Sequence, residues 1–332
     1  MSCDPASPRV AILTRAHDFH AFAIRHTLRS RGVDCAIVET DALAGSGAIS
    51  WSASTEFAGV LPEVEGGTID VGELDLIWWR RLTGEPRLPD WLSDEAARDL
   101  VASDCRATLV GLALTRFDGR WVSHPEATRL SENKLIQLDV AACVGLRLPR
   151  TLVSQDPEAV RRFCSERDYQ LVVKTVAGTR MTPVMAGRVS AELVSSDAEV
   201  ALSPAIYQEL VPGSEHLRVC CFGDETHTAL LRTERLDWRY PLDAVAEPYE
   251  LDQSIARRLR TMLDRLGLRM GVFDMKLDPS GGEPYWLEVN PQGQFLFLQG
   301  MCELPLSEHF TDFLVDELSR RKRAPRPTDA QS

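Results

Sequence analysis

Near its C-terminus the chain reads Gly-Val-Phe-Asp-Met-Lys at 271–276, Asp-Pro-Ser-Gly-Gly at 278–282 and Glu-Pro-Tyr-Trp-Leu-Glu-Val-Asn-Pro-Gln-Gly-Gln at 283–294. Two β-rich runs around a Gly-Gly turn predict a hairpin. Side chains alternate faces along a strand, so Glu288 and Asn290 share a face and Val289 points away. With even positions paired to even, Asp274 joins that face, diagonal to Glu288. Two carboxylates and an amide oxygen suit Mg²⁺, which completes its shell with phosphates and water. The plainer alternative is a solvated hairpin face. Against it, the neighbours are apolar (Val272, Phe273, Met275, Trp286, Leu287, Val289), and an acidic pair buried among them needs a compensating cation. The hairpin points to a magnesium–nucleotide enzyme.

At 332 residues the chain is long enough for two or three packed units. Its 44% hydrophobic and 26% charged residues are those of a globular enzyme, not of a disordered chain. A net charge of −12 argues against sequence-independent nucleic-acid binding, which needs a basic surface to replace counterions. No apolar run approaches a membrane span, and the first residues lack a signal-peptide layout. The eight cysteines include no Cys-x-x-Cys, and Cys220-Cys221 would alternate faces of one strand, so structural zinc and a disulfide framework are not expected. A reduced, cytoplasmic protein is the expectation. The basic cluster at 318–323 reads as a frayed helix end before a polar tail.

The pattern predicts strands over 9–14, 35–39 and 74–79 with a helix over 18–30, an α/β opening unit. Residues 41–70 read as irregular or as short antiparallel strands. Ser93 is expected to cap a helix to 115. Further helices are expected over 132–143, 156–166, 252–266 and 307–320, and strands over 151–153, 171–176, 205–209, 217–223 and 227–232. The implied division is an N-terminal α/β domain (1–125), a central lobe (126–204), a C-terminal lobe with the metal site (205–322) and a tail (323–332).

Gly-x-x-x-x-Gly-Lys-Ser/Thr is absent, which excludes a P-loop. Gly45-Ser46-Gly47 lacks the third glycine and the preceding strand of a dinucleotide fingerprint. Neither Gly-x-Ser-x-Gly nor His-Glu-x-x-His occurs. What remains is an ordered series: Lys134 in a first helical turn, Lys174 on a strand before Gly178, and Gln208-Glu209-Leu210-Val211 before Pro-Gly. Glu215, Arg218 and Arg239 follow, then Asp274, Glu288 and Asn290.

In order and spacing this series resembles the ATP-grasp fold over roughly 128–320, preceded by the α/β domain such enzymes carry. The fold class implied is α/β and α+β, a pre-ATP-grasp domain followed by a two-lobed ATP-grasp fold. The resemblance implies that Lys134 and Lys174 neutralise ATP phosphates and that Gly178 lies in a loop over the triphosphate. It assigns the adenine edge to Gln208, Glu209, Leu210 and Val211, and the ribose to Glu215. Asp274, Glu288 and Asn290 would hold two Mg²⁺ ions, while Arg218 and Arg239 would contact the γ-phosphate and the substrate carboxylate.

Trp78-Trp79-Arg80-Arg81 and Leu287-Glu288-Val289-Asn290-Pro291-Gln292-Gly293-Gln294-Phe295 resemble runs in the graspetide synthetases, the microviridin-type peptide maturases. Ligases that add glutamate to ribosomal protein S6 share the metal residues but usually continue with Ser-Pro-Gly. The chain departs from the group at His216, where an acidic residue is usual. The resemblance implies an ADP-forming macrocyclase acting on a precursor peptide with a leader and a Thr/Glu/Asp-rich core. Arg80, Arg81, Arg218 and Arg239 are candidate landing sites, and a homodimer is the family's arrangement. Two other readings are a ligase adding an amino acid to a peptide or protein terminus, and a regulator with a degenerate nucleotide site.

Overall fold

The computed structural model describes residues 8–53, 59–82, 86–177, 185–236 and 244–320. The chain divides into two compact units, one of Met1–Ser123 with Ser307–Ser332 and the other of His124–Leu306.

The first unit is built from β1 (Arg9–Thr14), α1 (Phe19–Ser30), β2 (Asp34–Glu39), β3 (Val60–Pro62), β4 (Thr68–Asp70), β5 (Leu76–Trp79), α2 (Glu95–Arg116) and β6 (Arg120–Val122). Four strands form a parallel sheet in the order β2-β1-β5-β6, and β3 and β4 pair as a separate antiparallel ribbon. Parallel strands buried on both faces read as continuous apolar runs. β1 and β5 do so, and β5 is wholly buried. The cap of α2 is Asp94, whose carboxylate accepts from Ala97 N–H at 2.8 Å, one residue beyond the expected Ser93. Either side chain can satisfy the free amides of a first turn, so composition alone did not separate them.

The second unit follows as α3 (Pro125–Ser131), α4 (Lys134–Cys143), β7 (Thr151–Ser154), α5 (Pro157–Ser165), β8 (Leu171–Thr175), β9 (Gly187–Arg188), α6 (Asp197–Val200) and β10 (Ala205–Glu209). It continues with β11 (Glu215–Phe222), β12 (Glu225–Arg232), β13 (Val245–Pro248), α7 (Gln253–Leu266), β14 (Met270–Lys276), β15 (Tyr285–Asn290) and α8 (Leu296–Cys302). Two antiparallel sheets result, β7-β10-β8-β9 and β13-β12-β11-β14-β15. The second sheet packs the face that holds Leu217, Val219, Leu230, Phe273 and Met275 against α7 and α4. α7 is capped by Asp252 and ended by Gly267 in the left-handed region at φ +69°, the conformation a glycine stop supplies.

The closing helix, α9 (Leu306–Ser319), returns to the first unit. Phe310 packs on Trp78 at 4.6 Å between ring centroids, Thr311 meets Thr27 at 2.6 Å, and Arg120 donates to buried Glu317 at 2.7 Å. The sequence division had assigned 307–322 to the C-terminal lobe. An apolar helical face shows that a helix is buried but not against what. The strand at 205–209 is likewise reassigned, since β10 pairs with β7 and β8 in the first sheet.

No helix among the described residues is long and apolar enough to cross a membrane. The seven described cysteines are free thiols. Burial pushes Cys220 and Cys221 up to about 12, so neither offers a thiolate at neutral pH.

Candidate active site

The predicted hairpin forms, with one difference of register. Asp274 lies directly opposite Glu288 rather than diagonal to it, because the pairing shifts between Asp274 and Met275. Met275 pairs with Trp286, so Leu287 is an extra residue on β15. Such a bulge re-aims side chains next to it. Leu287 and Glu288, neighbours that strict alternation would separate, both line one cavity.

Asn290 joins the carboxylates, its amide donating to Asp274 Oδ2 at 3.4 Å. Arg218 sits opposite Asp274 on the other neighbouring strand and grips it with Nη1, at 2.7 Å to Oδ1 and 2.9 Å to Oδ2. Its Nη2 donates to Gln294 O at 2.9 Å, which fixes the loop leaving β15. Arg218 and Asp274 are buried, so the pair supplies the compensating charge that a sequestered carboxylate requires. Close packing holds the same loop: a Cβ at Gly293 would lie 2.6 Å from Val272 Cβ.

The donor set fits a hard divalent cation. Asp274, Glu288 and Asn290 offer two carboxylates and an amide, and a carboxylate oxygen that accepts one hydrogen bond still has a lone pair.

The two lysines line the same cavity. Lys134 opens α4, whose cap Asn133 accepts from Leu135 and Ile136 N–H, and its Nζ lies 3.4 Å from Thr175 O. Lys174, half-buried on β8, donates to Gln208 Oε1 at 2.7 Å, and Gln208 Nε2 donates to Thr151 Oγ1 at 3.0 Å. Lys134, Lys174, Gln208 and Glu288 all line the cavity. The amide of Gln208 is thus spent on aiming Lys174, a use the sequence reading did not foresee.

The segment after Gln208 is held by its backbone. Glu209 N–H donates to Arg150 O at 2.8 Å and Leu210 N–H to Gln170 O at 2.9 Å, and the side chain of Val211 is buried. Gly213, at φ +89°, lies where the chain passes from the first sheet to the second. Glu215 is drawn elsewhere: its carboxylate accepts from Arg232 Nε at 3.0 Å, half-exposed at the start of β11. Gly178 and Arg239 lie outside the described residues. Arg80 and Arg81 follow β5 in the first unit, and Arg80, only 2% exposed, cannot meet a peptide directly.

Two buried polar residues on these elements were missed. Lys276 is buried two residues beyond Asp274 on the same strand; burial and then the charge of Arg188 hold its ammonium below the usual lysine range, with Glu234 opposing. A second charged residue two positions after Asp274, in an otherwise apolar strand, was the available signal. Gln137 left no such signal. Its buried amide donates to Ser131 O at 2.6 Å and Val289 O at 2.9 Å and accepts from Val289 N–H at 3.1 Å. It clamps the residue between Glu288 and Asn290 to the helix that carries Lys134.

No protein-family model matches the chain. Macrocyclase MdnC bound with precursor peptide MdnA, from Microcystis aeruginosa MRC, superposes with a TM-score of 0.82 at 24% identity, over 93% of this chain and 99% of that one. A RiPP-associated ATP-grasp ligase of Chryseobacterium gregarium, in complex with ADP and a leader and core peptide, gives 0.82 at 21% identity, covering 93% and 97%. Macrocyclase MdnB, also from Microcystis aeruginosa MRC, gives 0.77 at 26%, covering 93% and 99%. In sequence, the α-aminoadipate–LysW ligase LysX of Sulfurisphaera tokodaii is 24% identical over 198 residues, 54% of this chain and 66% of that protein. The chain has the ATP-grasp fold, shared with these neighbours over nearly its whole length.

Proposed function

We propose that this protein is an ADP-forming peptide macrocyclase, which activates Glu or Asp side chains of a ribosomally made precursor and closes ω-ester or ω-amide rings. One observation carries the reading. Lys134, Lys174 and Glu288 line a single cavity, and Glu288 lies opposite Asp274 on the sheet face that also holds Asn290. Likeness to macrocyclases and to a ligase holding leader and core peptides supports the choice of substrate.

The chemistry transfers the γ-phosphoryl group of ATP to a carboxylate, releasing ADP. A Thr or Ser hydroxyl or a Lys amine of the same peptide then attacks the acyl phosphate and expels phosphate. Such transfer needs alignment and charge neutralisation more than a covalent nucleophile. Lys134 and Lys174 would hold the α- and β-phosphates, the latter aimed by Gln208. The segment from Glu209 to Val211 would read adenine through its backbone. Asp274, Glu288 and Asn290 would hold two Mg²⁺ ions, which when bound neutralise the phosphate oxygens. Arg218 orients Asp274, and Arg239 remains the candidate for the γ-phosphate and the substrate carboxylate. Glu215 would have to release Arg232 before its carboxylate could take the ribose hydroxyls. The protein would work in the cytoplasm as a homodimer.

The similarity to LysX favours a second reading, addition of an amino acid to a peptide or protein terminus. An ADP-release assay separates them. Turnover with the precursor peptide and Mg-ATP, with no free amino acid added, is expected. Turnover that requires an added free amino acid would establish the second reading instead.

A further inference from the structure

In the second unit each sheet turns one face to a core and the other away from it. On the first sheet Leu171, Val173, Val189 and Tyr207 pack into a core, so the opposite face holds Val172, Lys174 and, directly across from Val172 on β9, Arg188. On the second sheet Leu217, Phe273 and Met275 pack into the other core, and Arg218, Asp274 and Lys276 share the face turned away from it. Alternation along a strand and the shared face of directly paired residues fix both sets. Lys174 lines the same cavity as Glu288, the residue directly opposite Asp274, so both faces border it.

Lys276 is only 8% exposed, whereas Arg188 is exposed. Among the described residues neither side chain makes a hydrogen bond or an ion pair. The charges that bear on Lys276 are those of Arg188, which opposes its ammonium, and Glu234, which attracts it without closing an ion pair. Its cross-strand neighbours, His216 and Tyr285, bring no negative charge at neutral pH. A buried cation without a partner is costly, and a second cation brought toward it adds to the cost. An apolar side chain of the same length would fill the position without that cost, so the ammonium serves something other than the packing of the ligand-free chain.

The two cations lie one step from the groups proposed to hold phosphate and metal. Arg188 is across from Val172, two residues before Lys174, and Lys276 is two residues after Asp274. Both steps lead toward the segment 209–211 that joins the sheets: Glu209 pairs with Leu171, and Leu277 N–H donates to Glu215 O just past Gly213. A phosphate chain running from that segment to the metal residues would pass between them. We infer that Lys276 and Arg188 are an anion-binding pair that takes phosphate oxygens of the nucleotide from the two sheets at once. The choice of a nucleotide rests on the proposed function; the setting of two cations against each other does not.

Isothermal titration of the full chain at low ionic strength tests the pair, with Mg-ADP and magnesium pyrophosphate as separate probes. Lys276→Met keeps the length of the side chain and removes its charge. It should weaken both probes by about tenfold or more, the loss expected for a charge-assisted hydrogen bond. The ligand-free variant should melt at or above the temperature of the wild type, the opposite of what loss of a structural residue gives. Arg188→Gln, at an exposed position that tolerates the change, should weaken both probes by about threefold. Undiminished pyrophosphate binding in either variant, no pyrophosphate binding by the wild type, or a ligand-free Lys276→Met that melts well below the wild type would overturn the pair. A wild type that binds pyrophosphate but not Mg-ADP would instead overturn the proposed function and leave the anion site standing.

Discussion

Asp18 and Arg80 form a buried ion pair in the first unit, and its energetics are open to titration. Burial alone would raise the Asp18 carboxyl, but the charge and hydrogen bonds of Arg80, with the hydroxyl of Thr14, outweigh it and hold it below the ordinary 3.8. Burial pushes Arg80 down to about 10, still protonated at neutral pH. A carboxylate depressed in the folded state contributes stability that is present above its unfolded value and lost as pH falls through its folded value. Urea midpoints of the wild type should therefore drop more steeply below about pH 3.8 than those of Asp18→Asn. At neutral pH that variant should be less stable by about 3–5 kcal/mol, because it leaves a buried guanidinium without its counter-charge. An unchanged midpoint would mean the pair contributes nothing. The sequence made Arg80 conspicuous, next to two tryptophans, but could not say that it was buried: its partner lies 62 residues away and is chosen by strand order.

Among elements, β15 shows how far a local pattern reaches. The period of two placed Glu288 and Asn290 on one face, and the Gly-Gly turn returned Asp274 to them. Neither indicates a bulge, because an extra residue is set by how β14 and β15 settle on the sheet below. The Arg218–Asp274 bond, 56 residues apart in sequence, likewise follows from the pairing of β11 with β14. Gln137 is the extreme case, a polar residue on an apolar helix whose purpose is visible only once Val289 is beside it. Its replacement by Leu would leave the buried N–H and C=O of Val289 unsatisfied, at about 1–3 kcal/mol for each group. We expect Gln137→Leu to lower thermal stability and also to weaken Mg-ADP stabilisation, since β15 carries Glu288 and Asn290, two of the residues proposed to hold the metal. A variant that melts like the wild type, with full Mg-ADP stabilisation, would show that α4 does not position β15.

For the whole molecule, the order of chemistry-bearing residues outlasted errors in the elements around them. The reading missed short pieces such as β6, α3, β13 and α8. Three to seven residues carry too little periodicity to be seen. It also kept α9 with the wrong unit, because tertiary return is not written in a helix's own face. Lys134, Lys174, Asp274, Glu288 and Asn290 were nonetheless legible, since each is a charged or amide residue set into or beside an apolar run. The central claim is that this cavity activates peptide carboxylates for ring closure. The direct measurement is the mass of the precursor encoded beside the gene after incubation with Mg-ATP. The account predicts loss of one water per ring with ADP released in step, and near-complete loss of both in a normally folded Glu288→Gln variant, which keeps the shape but removes the charge opposite Asp274. Ring formation by Glu288→Gln at a rate near wild type, or ADP release with no change in peptide mass, would contradict it.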